Sequence, residues 1–186
     1  SYNPQSAEQI YALNPFNMTW EDGGRYAILG PSGCGKTTML NIMSGIVQPS
    51  EGNLLFDGVD VTKLSTSERN IAQVFQFPVI YGTMSVEQNL AFPLVCRNYE
   101  KPTIDAKVNE VAEALGLQEL LTKSASRLTA DQKQLISLGR GLVRDDVAAV
   151  LMDEPLTVID PDLKFRLRRQ LKEINQKYRS TLIYVT

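Results

Sequence analysis

A glycine-rich segment between residues 30 and 37 has the composition needed to bind a chain of phosphates. It fits the pattern G-x-x-x-x-G-K-[ST] and consists of Gly30, Pro31, Ser32, Gly33, Cys34, Gly35, Lys36 and Thr37. Glycines here allow several backbone N–H groups to approach phosphate oxygens together, and a helix predicted over residues 36–46 adds the positive end of its dipole. The segment therefore predicts a site for a nucleoside triphosphate.

Individual side chains of this segment have separate expected roles. Lys36 would bring an ammonium group to the β- and γ-phosphates, and the Thr37 hydroxyl would ligate Mg²⁺. Thr38 belongs to the same cofactor-binding set. We interpret Cys34 as a small filler because no base is evident that would activate a thiol. The alternative, a glycine turn that fits the pattern by chance, is less favoured because an apolar strand precedes the loop and a helix follows it.

Two consecutive carboxylates, Asp153 and Glu154, follow an apolar run over residues 147–152. Asp153 would hold the hydration shell of Mg²⁺ beside Thr37, and Glu154 would polarise the attacking water. Solvated acids at the end of a strand are the alternative. The glycine-rich loop in the same chain favours the catalytic interpretation.

Composition sets limits on the class of protein. The chain has 186 residues, enough for one domain, and a net charge of −2, which argues against a nucleic-acid partner. The absence of histidine from this sequence excludes histidine catalysis and histidine metal ligands within it. No apolar run is long enough to cross a bilayer, so a membrane role would need other chains. Two cysteines without a paired spacing fit a reducing compartment.

Apolar strands alternate with helices along the chain, which predicts an α/β fold with a mainly parallel sheet. Strands are predicted over residues 16–20, 26–29, 53–56, 71–75, 147–152 and 181–185, with those at 26–29 and 147–152 buried on both faces. Helices are predicted over residues 36–46, over residues 104–115 before Gly116, over residues 130–143, and after Pro161 with an apolar stripe that includes Leu167. Turns are predicted at residues 21–24 and 57–58.

Three more segments resemble the ATP-binding-cassette (ABC) ATPase family over nearly the whole chain. Gln76 follows a strand, like the family's glutamine loop. Residues 128–132 stand where the signature Leu-Ser-Gly-Gly-Gln is expected, and residues 154–160 resemble the stretch from the catalytic glutamate to the D-loop aspartate, Asp160. The resemblance implies a P-loop NTPase fold over residues 1–186, with an antiparallel β part and a helical subdomain at about residues 82–145.

The resemblance also implies roles for these residues. Gln76 would contact Mg²⁺ or water, and the signature set Thr129, Ala130, Asp131 and Gln132 would close on ATP bound to a second ATPase subunit of a homodimer. Ala130 and Asp131 replace two glycines of the signature. A carboxylate near the γ-phosphate would be repulsive unless Asp131 turns away or caps the helix. An ordinary capped helix remains the alternative for this segment, and a helix N-cap remains one for Asp160.

The same resemblance suggests a branch of the family and its partners. Residues 30–36 and 154–156 are similar to importer ATPases for sugars and glycerol phosphate, which are cytoplasmic and peripheral on the inner face of the cell membrane. Residues 77–81 would receive the permease, unless they are buried core. Tyr2 would stack on adenine, although a frayed terminus or Tyr11 are alternatives.

Two further expectations concern activity. The sequence ends where the family's γ-phosphate histidine should follow, so we expect a domain incomplete at its C-terminus that binds Mg-ATP but hydrolyses it slowly or not at all. A P-loop kinase or GTPase is one alternative, although no Asn-Lys-x-Asp motif is present. A soluble ABC-type or non-hydrolysing nucleotide-binding module is another.

Overall fold

The computed structural model describes residues 11–157, 159–161, 164, 165, 167, 169 and 180–186. In this part of the chain, four parallel strands form one sheet in the order β1-β6-β5-β4. These strands are β1 (Arg25–Ile28), β4 (Ala72–Val74), β5 (Ala149–Asp153) and β6 (Thr181–Val185). A separate antiparallel hairpin pairs β2 (Leu55–Phe56) with β3 (Val59–Asp60). The predicted α/β class, parallel sheet and antiparallel part are confirmed.

Strand register brings three connections to one edge of the sheet. Ile28 of β1 and Asp153 of β5 both pair with Val185 of the intervening strand β6. Because all four strands are parallel, their carboxyl ends lie at the same edge. The segments that follow β1, β4 and β5, which carry the predicted site residues, therefore emerge together.

Helices cover both faces of the sheet. They are α1 (Lys36–Ser44), α2 (Val86–Val95), α3 (Lys101–Leu115) and α4 (Ala130–Leu142), with 3₁₀ turns at Gln118–Leu120 and Ala125–Arg127. Val150 and Met152 of β5 pack in the same core as α2, α3 and α4. Leu151 packs in a second core with α1. The alternation along β5 explains why all five of its residues are buried, as the sequence predicted.

The ends of several helices and turns follow from local chemistry. Gly45 and Gly116 adopt the left-handed conformation just after α1 and α3, and they satisfy helix carbonyls there. Asp57 and Gly58 have φ of +50° and +79°, which suits a tight hairpin turn between β2 and β3. The predicted turn at residues 21–24 is confirmed by the Gly24 N–H, which donates to the Glu21 carbonyl at 3.1 Å.

Two strand predictions were wrong in part. Residues 16–20 form no strand, and no strand of the described part pairs with them; Phe16 and Met18 are exposed, whereas Trp20 packs against the α1 core. The strand near residue 26 exists, but it is only half-buried. It lies at the sheet edge, and Ala27 and Leu29 remain exposed.

Helix α2 was not predicted, although its start carries a recognisable signal. Ser85 and Gln88 form a reciprocal capping box, a pattern visible in the sequence as S-x-x-Q. Pro93 inside the helix is a signal against a helix at this position. A helical subdomain at residues 82–145 stays a prediction: α2, α3 and α4 fall within it, and their core is continuous with Val74 of the sheet.

The helix predicted after Pro161 is described only in part. Leu167, one member of its predicted apolar stripe, is helical and fully buried. The remaining stripe residues, Leu163, Leu171, Ile174 and Tyr178, lie outside the described residues. No helix in the described part of the chain is both long and apolar enough to span a membrane.

Candidate functional site

The glycine-rich loop connects β1 to α1 through conformations that favour glycine. Gly33 and Gly35 have φ of +80° and +97°. Gly35 precedes α1 directly, and a Cβ atom there would lie 2.6 Å from the Ala12 carbonyl oxygen. Since α1 begins at Lys36, its first N–H groups face the loop without partners inside the helix. This is the geometry of a backbone anion site at a helix N-terminus.

Lys36 lies folded over its own loop. Its Nζ donates to the carbonyls of Gly30 at 2.6 Å and Pro31 at 2.9 Å, and it lies 4.0 Å from Cys34 Sγ. The ammonium is thus held near the backbone by weak neutral acceptors, which phosphate oxygens would outcompete. Thr37 is exposed, and Thr38 is partly buried. Cys34 is exposed, and its sulfur would lie 2.8 Å from a Cβ built on Gly30.

The two carboxylates after β5 have different surroundings. Asp153 is the last residue of the strand and is buried, whereas Glu154 is partly exposed. Glu154 has φ of +43°, an uncommon conformation for a residue with a side chain. Its N–H donates to the Val185 carbonyl at 3.0 Å, and Thr157 Oγ1 donates to its Oε2 at 3.2 Å. No role for Thr157 was predicted from the sequence.

Gln76 follows β4 at the same sheet edge and is partly buried. The next residues form an apolar surface, because Phe77, Val79 and Tyr81 are between 40% and 69% exposed. Ile80 instead packs against the core. The interpretation of residues 77–81 as simply buried core was therefore wrong for three of the five.

Polar contacts fix the backbone of this apolar surface. Asn89 of α2 is fully buried; its Oδ1 accepts from the Tyr81 N–H at 2.8 Å and its Nδ2 donates to the Tyr81 carbonyl at 3.0 Å. Arg140 of α4 donates to the Val79 carbonyl at 2.6 Å and lies 4.5 Å from the centre of the Tyr81 ring. The exposed side chains therefore sit on a backbone tied to two helices.

The signature-like segment forms the start of α4. Thr129 is the N-cap: its Oγ1 accepts from the Gln132 N–H at 3.3 Å, and Gln132 Oε1 accepts from the Thr129 N–H at 3.1 Å. The suggestion that Asp131 caps the helix was thus wrong, because Thr129 takes that place. Ala130 is exposed and Asp131 is partly buried in the first turn, where a carboxylate interacts favourably with the helix dipole.

Of two other predicted site residues, Asp160 and Tyr2, the structure describes only Asp160. Asp160 is exposed, and its carbonyl accepts from the Lys164 N–H at 2.8 Å, as expected where a helix begins. Tyr2 lies outside the described residues. The other aromatic considered for adenine, Tyr11, donates to Glu51 Oε1 at 3.0 Å and lines a cleft shared with Thr38. This hydrogen bond raises the pKa of the Tyr11 phenol.

The donor set at this edge suits a hard divalent cation. Thr37, Gln76 and Asp153 offer hydroxyl, amide and carboxylate oxygens, the ligand types that Mg²⁺ takes together with phosphate oxygens. Within the described ranges, no group of three or more His, Cys, Asp or Glu residues could hold a metal ion. The residues present therefore fit a Mg²⁺ ion bound jointly by protein and nucleotide, rather than an all-protein metal cage.

Comparison with known proteins decides the family. Residues 13–157 match the family model described as ABC transporter. The chain belongs to the ABC transporter family. The resemblance stated from the sequence is thereby confirmed.

Individual members of the ABC transporter family support this assignment by sequence identity and by structure. The chain is 40% identical over 184 residues to the trehalose/maltose import ATP-binding protein MalK of Thermococcus litoralis, covering 96% of this chain and 49% of MalK. It is 39% identical over 175 residues to the trehalose import ATP-binding protein SugC of Mycobacterium tuberculosis, covering 94% and 44%. The chain thus spans about half the length of the curated relatives it matches.

A solved structure extends the likeness to three dimensions. The ATP-binding cassette MJ0796, in a dimeric post-hydrolysis state bound to ADP and phosphate, superposes with a TM-score of 0.86. The two chains are 26% identical, and the match covers 99% of this chain and 83% of MJ0796. The ABC ATPase type of fold is confirmed.

Proposed function

We propose that this chain is the ATP-binding and ATP-hydrolysing subunit of an ABC importer for a sugar or glycerol phosphate. One observation carries the proposal. Strand register brings the loop after β1, Gln76 after β4, and Asp153 with Glu154 after β5 to the same edge of one parallel sheet. A phosphate cradle and paired carboxylates at one sheet edge are the parts that phosphoryl transfer to water requires.

Each residue contributes a distinct step to the proposed reaction. The amides at the start of α1 bind the phosphates, and Lys36 leaves the Gly30 and Pro31 carbonyls to contact phosphate oxygens. Asp153 and Thr37, with Gln76, would hold Mg²⁺, which when bound neutralises phosphate charge. Glu154 orients water for in-line attack and accepts its proton. Glu154 has a left-handed backbone and is partly exposed, whereas the preceding Asp153 is buried.

Family membership supports the proposed assembly. ABC ATPases work as dimers with transmembrane permease partners, and such subunits lie on the cytoplasmic face of the membrane. We assign this chain a homodimeric arrangement in which Thr129 to Gln132 approach ATP on the other copy and Asp160 lies at the contact between subunits. The exposed side chains of Phe77, Val79 and Tyr81 form the surface for the permease. The import functions named for MalK and SugC support a sugar as cargo.

The test is Glu154→Gln in the full-length protein. We expect a MgATP-induced rise in melting temperature equal to that of the wild type, and a fall in kcat of about 100-fold or more, because the variant keeps the shape but loses the base. Phosphate release measures kcat. The matched control is Glu113→Gln, an exposed position on α3. Unchanged hydrolysis in Glu154→Gln would reassign the base.

Two controls address the other interpretations. Lys36→Ala should lose the MgATP-induced rise in melting temperature, because the loop loses its ammonium group. A strong preference for GTP over ATP would favour a different P-loop enzyme. Failure to co-purify with membrane subunits would favour an ABC-type module that acts without a permease.

A further inference from the structure

Gln134 of α4 is a fully buried amide that joins two functional segments. Its Nε2 donates to the Phe75 carbonyl at 3.1 Å and to the Pro155 carbonyl at 2.9 Å. Phe75 immediately precedes Gln76, and Pro155 immediately follows Glu154. The Gln134 side chain therefore bonds the backbone next to Gln76 and the backbone next to Glu154. Both segments lie at the sheet edge where the proposed Mg²⁺ and water contacts are.

The contact at Pro155 is next to a strained residue. Glu154 has a positive φ, which a residue with a Cβ adopts only when its surroundings impose it. The Glu154 N–H is held by Val185 on one side, and the Pro155 carbonyl is held by Gln134 on the other. The first bond restricts the peptide unit that enters Glu154, and the second restricts the Pro155–Leu156 peptide unit, one residue beyond the strained dihedral. Loss of either would let the Glu154 carboxylate move from its position.

Packing alone does not explain a glutamine at this position. Among the neighbouring buried positions of α4, Leu135, Ile136 and Leu138 are apolar, and the one polar side chain, Ser137, accepts from the Val79 N–H at 3.2 Å. Gln134 is buried as well, and among the described residues no donor reaches its Oε1. A buried amide with an unpaired oxygen is costly, so its presence calls for a role that an apolar side chain cannot perform. The two bonds from its NH₂ group supply that role.

The helix that carries Gln134 also carries the signature-like segment. Thr129 caps α4, and Gln134 lies one turn and a half further along the same helix. Arg140, six residues later, contacts the Val79 carbonyl beyond Gln76. Through rigid α4, the start of the helix is therefore connected to the segments after β4 and β5.

We propose that Gln134 is a positioning residue that fixes Gln76 and Glu154 relative to each other and to α4. This inference rests on the proposed ATPase function, because it assigns Gln134 a part in setting the geometry of that reaction. In this proposal Gln134 acts through two main-chain carbonyls, those of Phe75 and Pro155.

The first test replaces the amide by an apolar side chain of similar size, Gln134→Leu, in the full-length protein. Gln73→Leu is the matched control, since Gln73 is also a glutamine with a buried unpaired Oε1, and its Nε2 bonds Asn41 at 3.1 Å, away from both carbonyls. We expect kcat to fall roughly 10- to 100-fold in Gln134→Leu, with KM for ATP within about twofold of wild type, because a displacement of about 1 Å has that effect on rate. Gln73→Leu should keep kcat even if its melting temperature falls. Equal losses of kcat in the two variants, or none in Gln134→Leu, would overturn the inference.

Gln134→Glu gives a second, independent readout. Burial between two carbonyl oxygens should raise the pKa of the new carboxyl, so that it is protonated and can donate one hydrogen bond at low pH. The ratio of its kcat to that of wild type should rise as pH falls from 8 to 6, whereas the Gln134→Leu ratio should stay flat. A flat ratio for both variants contradicts the proposal. Failure of both variants to fold would assign Gln134 to folding and overturn it too.

Hydrogen exchange separates this inference from the ATPase proposal. Amides of residues 75–77, 154, 156 and 157 should exchange faster in Gln134→Leu than in wild type or Gln73→Leu, whether or not the protein turns over ATP. Wild-type exchange rates in Gln134→Leu would refute the positioning role. An inactive wild-type protein would refute the proposed function and leave the exchange result to decide the role of Gln134.

Discussion

Arg69 is a buried cation that holds the end of the phosphate-loop helix. It is 2% exposed, and its guanidinium donates to carbonyls of Ile42 and Met43 at the end of α1 and of Thr62 and Leu64 in the following loop, at 2.5 to 3.1 Å. Burial lowers the pKa of this group from its ordinary value, yet a guanidinium stays charged at any working pH. Its charge is therefore offset by the negative end of the α1 dipole and by four main-chain acceptors.

We predict that Arg69→Met lowers the free energy of unfolding by about 4 kcal/mol. Methionine keeps most of the apolar stem but leaves the carbonyls of Met43, Thr62 and Leu64 without their donor, at roughly 1.3 kcal/mol for each acceptor left unpaired, whereas the Ile42 carbonyl keeps its bond from the Gly45 N–H. For a chain of this length the change corresponds to a fall in melting temperature of roughly 8 to 16 °C. Arg69→Lys keeps the charge but lacks the planar fork, so we expect about half of that fall.

Circular dichroism melts measure this effect, with exposed Arg127→Met as the matched control. Binding of MgATP should raise the melting temperature of Arg69→Met and of wild type by similar amounts, because the lost contacts lie at the end of α1 away from the phosphate loop. If the melting temperature of Arg69→Met falls no further than that of Arg127→Met, water replaces the guanidinium without a loss of stability. The account of Arg69 would then be wrong.

Two further predictions concern charges at the ends of elements. Burial raises the pKa of Asp146, but its hydrogen bonds to Arg144 and that residue's charge outweigh burial, so the pKa lies below its usual value. The stability that this carboxylate gives is present above its unfolded pKa and is lost as pH falls through the folded pKa. Urea unfolding should therefore give Asp146→Asn a free energy of unfolding about 1 kcal/mol below that of wild type at pH 7, and the two values should converge near pH 3. Asp131→Gly in the full-length protein should increase ATP-dependent self-association severalfold, because it removes a carboxylate from the proposed contact with ATP. Analytical ultracentrifugation measures this association, and no increase would show that Asp131 turns away from the nucleotide.

The strongest sequence signals were those in which chemistry and position coincide. The apolar run before the glycine-rich loop predicted a strand, and the residues from Lys36 predicted a helix; both are present, joined by a loop with positive φ at Gly33 and Gly35. The run before Asp153 predicted a strand buried on both faces, since a parallel strand between two helical layers carries no polar alternation.

Other features depend on partners that a sequence does not name. Phe16, Met18 and Trp20 alternate as a strand would, but alternation cannot form a strand where none of the described strands pairs with it. The exposure of β1 follows from its place at the sheet edge, which is a property of topology. The positive φ of Glu154 and the two hydrogen bonds of Gln134 cannot be predicted from the neighbouring sequence, because each depends on residues distant in the chain.

These observations separate the determinants of the fold from those of the site. The buried apolar residues place strands and helices, but the proposed phosphate, metal and catalytic residues lie at the end of a strand, on the connection just beyond it or at a helix start, where apolar packing ends. Hydrogen bonds set its position instead: Glu154 is held through Val185, and the backbone after Gln76 is held through Asn89. Such bonds add little to the net stability of the fold but restrict direction strongly. Loss of a polar contact near this edge should therefore impair the reaction more than it lowers the melting temperature, whereas truncation of a core residue such as Leu138 should do the reverse.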